Sequence, residues 1–105
     1  MNDNASTLYA KLLGETAAIT WEELQPFFAR GALLWVDGAQ DLVAVALAVA
    51  EDDKPKVAEL LTSGKLCKVE ETRAQDLLAR DPNLWAVVVA PWVLIQERDE
   101  APTRH

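Results

Sequence analysis

Apolar side chains recur at helical spacing near the start of the chain. Leu8, Tyr9, Leu12 and Leu13 share one side, with Lys11 and Glu15 opposite. This predicts an amphipathic helix from Thr7 to about residue 17, preceded by a loose stretch over 1–6. Thr20-Trp21-Glu22-Glu23 then has the form of a capping box: the threonine hydroxyl can accept the Glu23 N–H, and the Glu23 carboxylate can reach back. The helix that follows carries Trp21, Leu24 and Phe28 on one stripe. Pro26 lies deep inside it, where it removes a hydrogen bond and crowds the Glu22 carbonyl, so a kink or break is expected. Gly31 is the expected left-handed cap.

The middle of the chain alternates in type. Residues 32–36 are apolar on both faces and predict a strand covered on both faces. Asp37-Gly38 marks a turn, and 40–53 predicts a helix whose 42–50 stretch is apolar nearly all round, hence buried. Asp53 is the expected cap of a further helix, with Pro55 in its first turn and Gly64 at its end. Residues 65–70 alternate and predict a half-buried strand with Cys67 and Val69 inward. A short helix from Thr72 stops before Asp81-Pro82-Asn83. A helix, a glycine cap, a strand and the tetrapeptide Ala-Gln-Asp-Leu occur in that order twice, the tetrapeptide at 39–42 and 74–77 and each time expected at a helix start. Two copies are too few for a solenoid. Tracking direction through these connections places 85–90 parallel to 65–70, as the central strand.

The longest apolar stretch is WAVVVAPWVLIQE, residues 85–97. Pro91 cannot donate to a ladder and biases Ala90 towards extended geometry, so it is the expected bend. Residues 92–97 then form either an edge strand or a last helix with Pro91 in its first turn; valine and isoleucine favour the strand. An apolar edge near a chain end must be covered. A two-fold partner would do so, making Trp92, Val93, Leu94 and Ile95 the candidate interaction residues and a homodimer the expected assembly. The other possibility is cover by the chain's own helix 7–17.

Composition narrows the function classes. With 105 residues, half of them hydrophobic, there is enough chain for one core and not two. The net charge of −7 repels phosphate backbones, which speaks against nucleic acid and leaves a protein partner open. One cysteine permits no internal disulfide and favours a reducing compartment. The first residues lack the pattern of a signal peptide, and no apolar run reaches the ~20 residues of a membrane span. A cytoplasmic protein without membrane association is expected.

Candidate chemistry is sparse. His105 is the only histidine and sits at the very end, so histidine-based catalysis or metal ligation would have to use it. Cys67 is expected to be an inward structural thiol. Asp37, Asp41, Asp52 and Asp53 could bind a hard cation. Their positions also fit a turn (Asp37), a first helical turn (Asp41) and an N-cap (Asp53). Of the four tryptophans, Trp21 and Trp35 lie on core stripes, and Trp92 is the candidate exposed anchor.

The segments LYAKLLGETAAITWEEL, ARGALLWVD, DLVAVALAVAEDD and PWVLIQE resemble the bacterial family catalogued as domain of unknown function 2288, over roughly residues 8–97. The resemblance implies a small bacterial cytoplasmic protein. The family has no established activity, so no catalytic residue is carried over. The sequence thus predicts a single α+β domain over 7–97, with a mixed three- to four-stranded sheet, four to five helices and a flexible tail over 98–105. It assigns no catalytic, cofactor or metal residue. The function expected is a non-enzymatic interaction module that self-associates through 92–97. The alternatives are a small-molecule binder with a tryptophan-lined pocket and, third, a carboxylate-based metal-dependent enzyme.

Overall fold

Helices and strands alternate along the chain in a computed structural model, which describes the backbone of residues 4–98 and the side chains of residues 7–98. In order these are α1 (Asn4–Glu15), β1 (Ala17–Ile19), α2 (Trp21–Ala29), β2 (Leu33–Val36), α3 (Leu42–Ala50), α4 (Lys54–Thr62), β3 (Leu66–Lys68), α5 (Glu71–Arg80), β4 (Leu84–Val89) and β5 (Trp92–Glu97). The fold is α+β, with one mixed sheet in the order β1-β4-β5-β2-β3. The β2–β5 pair is parallel and the other pairs are antiparallel. Among the described residues no helix is long and apolar enough to cross a membrane.

Both faces of the sheet are covered. Leu34, Val36, Val87 and Leu94 face α1, α3 and α4 through Leu12, Leu42, Val45 and Leu60. Leu33, Trp35, Ile95 and Leu84 face α2 and α5 through Trp21, Leu24, Ala74 and Leu77. Alternate residues of one strand thus feed two cores, which is why the inner strands read as unbroken apolar runs. Each large side chain enclosed in this way contributes about 1.5–3 kcal/mol relative to leaving it exposed.

Local chemistry sets the helix ends. Thr20 Oγ1 accepts the Glu23 N–H at 3.2 Å, and the Thr20 N–H donates to Glu23 Oε1 at 3.1 Å, completing the capping box. Gly31 and Gly64 take φ of +72° and +79° after α2 and α4. At each, the glycine N–H and the next N–H fold back onto the last turn, as in Gly31 to Phe28 O and Ala32 to Phe27 O. Asp52 does the same after α3 with φ +54°, and Asp81 takes φ +48° after α5.

Several expectations are corrected. The strands number five among the described residues, because Ala17–Ile19 also pairs, with β4; Ala17 and Ala18 are exposed and carry no alternating signal. Helix α2 continues through Pro26 without a break, with Trp21 and Leu24 buried one turn apart on the same face. The helix expected over 40–53 is Leu42–Ala50; Asp41 is its N-cap rather than a first-turn residue, and Asp52 ends it. The second Ala-Gln-Asp-Leu lies inside α5, not at its start. Cys67 is half-buried rather than enclosed. Strands β3 and β4 do point the same way, but β5, not β4, is central. Residues 92–97 are a strand and not a helix, and that strand is not an edge: β4 and β2 flank it. Helix α1 begins at Asn4, inside the stretch expected to be loose, and Arg98 is tied in by its N–H to Asn83 O at 3.0 Å. The rest of the expected tail, with His105, and residues 1–3 lie outside the described residues.

Candidate functional site

The two ends of β5 differ in chemistry. At its C-terminal end, Gln96 and Glu97 point to opposite faces, as neighbours on a strand must. Gln96 is 2% exposed. Its Nε2 donates to Gln40 O at 2.7 Å and Asp37 O at 3.0 Å, and its Oε1 accepts from Arg98 Nε at 3.1 Å. That side chain fastens the loop leading into α3. Glu97 accepts two bonds from Arg80 of α5, at 2.8 and 2.9 Å, while Arg80 also forks onto Asp76 at 2.7 and 2.9 Å. These charge-assisted bonds hold the Asp76 and Glu97 carboxyls below their ordinary range and keep Arg80 protonated. The Arg98 guanidinium lies 4.9 Å over the Trp85 ring.

The carboxylates singled out from the sequence are engaged locally. Asp37 accepts the Ala39 N–H. Asp41 caps α3 through the N–H groups of Val43 and Ala44 and takes a 2.8 Å bond from the Tyr9 hydroxyl, which raises the phenol above its usual range. Asp53 caps α4 through Lys56 N. Among the described residues no three His, Cys, Asp or Glu groups come close enough together to hold a metal ion. The tryptophans do not converge either. Trp21, Trp85 and Trp92 each line a different groove, and Trp35 lies in the core under the Arg73 guanidinium, 4.2 Å away.

The N-terminal end of β5 is open. There the β4–β5 hairpin turns at Ala90-Pro91, whose peptide bond is cis, and stands beside the junction of α3 and α4. Between them lies an open groove of about 530 Å³. Its walls are Val49 of α3, Val57 and Leu61 of α4, and Val89, Pro91 and Trp92 of the hairpin. Leu61 is 52% exposed. Asp52 and Lys54 are the charged residues lining it, and they pair with each other at 2.8 Å.

Of the four candidate interaction residues, this groove takes in Trp92 alone. Val93, Leu94 and Ile95 are 3%, 0% and 0% exposed, inside the chain's own cores, because β5 is central. They offer no surface to a partner in the folded chain. Sequence reasoning missed Val49, Val57 and Leu61. A signal was present for the last: Leu60 and Leu61 are adjacent on one helix and cannot both face the core.

A family model described as "Protein of unknown function (DUF2288)" matches residues 7–97. No curated protein matches the chain. The NMR solution structure of PA1075 from Pseudomonas aeruginosa is similar throughout, with 68% identity, 100% of this chain and 97% of that chain covered, and a TM-score of 0.80.

Proposed function

Because the chain belongs to the family of unknown function DUF2288, which lends it no activity, we propose a function from its surface: a non-enzymatic interaction module that self-associates through the groove beside Trp92. The observation that carries this is the partly buried Trp92 ring at the floor of a groove walled by Val49, Val57, the exposed Leu61 and Pro91, with the two charges that line it among the described residues paired to each other. Aromatic anchors in apolar recesses dominate association energies. The carboxylates named above serve as caps, turns and ion pairs, which leaves the apolar groove as the better candidate for a contact surface.

Size sets the expected strength. A stable interface uses about 20–30 residues a side, whereas eleven line this groove. A contact confined to these residues is expected to be weak, on the order of micromolar or above in Kd. Sedimentation velocity from tens to hundreds of micromolar protein tests this. A concentration-dependent dimer weakened by Trp92→Ala, with the helical circular dichroism retained, is expected. A monomer across the whole range overturns the proposal.

A further inference from the structure

We infer that the contact is two-fold, each copy's Lys54 exchanging its own Asp52 for the Asp52 of the other copy. This rests on the groove being the interaction surface, and adds the arrangement of the second copy upon it.

A chain of net charge −7 repels its own copies, so a self-contact is favoured where charge cancels locally. In a two-fold contact the same patch faces itself, so the patch must be its own complement. Of the grooves walled mostly by apolar side chains, the one beside Trp92 meets this condition: one cation and one anion line it, 2.8 Å apart, with side chains 81% and 78% exposed. The groove beside Cys67 balances Lys68 and Arg73 against Glu70 and Asp76, but its walls are polar, and Arg73 and Asp76 are already engaged by the Trp35 ring and Arg80. The groove between α2 and α5 carries Glu71 as its lining charge, and the one beside β1 carries Glu23 and Asp81. Rotated onto themselves, those two would set acid against acid.

Asp52 occupies the left-handed position that ends α3, where Gly31 and Gly64 serve after α2 and α4 and Asp81 after α5. Aspartate tolerates that conformation less readily than glycine. Its exposed pair with Lys54 gives little in return within one chain. Between two copies, with water partly excluded by the apolar groove, the same charges would attract more strongly and fix the orientation of the contact.

The test is a mixing experiment by sedimentation velocity. Asp52→Lys makes the rim wholly basic and Lys54→Asp makes it wholly acidic. Each variant alone is expected to dimerise about tenfold more weakly than the parent chain. A one-to-one mixture is expected to return to within a few-fold of the parent, because the two rims then complement each other. Asp52→Asn, which suits the left-handed backbone, is expected to weaken the dimer several-fold and serves if Asp52→Lys does not fold. Parent-like dimerisation of the variants, or a mixture no stronger than its components, overturns the ion exchange while leaving the groove as the interface. A parent chain that stays monomeric overturns the groove reading and this inference with it.

Discussion

Replacing Gln96 by leucine keeps the volume of an enclosed side chain and removes its polar head. Three hydrogen bonds are lost, two to the carbonyls of Asp37 and Gln40 and one from Arg98. Asp37 O keeps the Gln40 N–H at 3.0 Å, so its loss is partial. Gln40 O has no other partner among the described residues. With the Asp37 bond offset by that remaining partner, the other two bonds at about 1 kcal/mol each and a further ~1–3 kcal/mol for the Gln40 carbonyl make the gross loss roughly 3–5 kcal/mol. Greater apolar burial by leucine offsets about 1–2 kcal/mol. The net expectation is a destabilisation of about 2–3 kcal/mol, or roughly 10–20 °C in Tm for a domain of this size. Urea unfolding followed by tryptophan fluorescence measures it, read from the midpoint at constant slope. Arg98→Met removes one of the three bonds, and a loss of about 1 kcal/mol or less is expected. A loss below ~0.5 kcal/mol for Gln96→Leu would refute the idea that this side chain secures the loop before α3.

Other outcomes follow from single features. The Arg80 network should lend stability that depends on pH with a definite sign. Asp76 and Glu97 are depressed from 3.8 and 4.5, so their contribution is full above those values and is lost as pH falls through the lower folded-state values. Acid titration of Arg80→Gln beside the parent chain should show a gap at neutral pH that closes in acid; a constant gap would contradict this. Gly64→Ala meets open space but keeps φ +79°, so a loss of about 1 kcal/mol in urea unfolding is expected from the backbone alone. Asp52→Gly should do the opposite and raise monomer stability by about 0.5–1 kcal/mol, checked by the same unfolding curve.

What the sequence made legible was local. The Thr20 capping box, the Asp53 cap and the left-handed turns at Gly31 and Gly64 each depend on residues within one turn of each other. Strand order does not, since it sums pairings between distant segments. Residues 33–36 and 92–95 carry the same signature, apolar on both faces, and both are inner strands. Reading the first as internal and the second as an exposed edge gave one pattern two meanings; nearness to the chain end is no measure of position in a sheet. β1 escaped notice because three residues ending in a half-buried isoleucine give no period to detect. At the candidate site, Trp92 was legible as a candidate anchor, but Val49, Val57 and Leu61 reach it only through the packing of α3 and α4 against the hairpin.

The adjacent pair Gln96 and Glu97 grips the loop before α3 on one side of the sheet and α5 on the other, while no comparable polar fastening lines the groove around Trp92. The pole at Gln96 and Glu97 is therefore expected to open less readily than the pole at the hairpin. Amide exchange along the central strand should slow steadily from the hairpin towards Gln96.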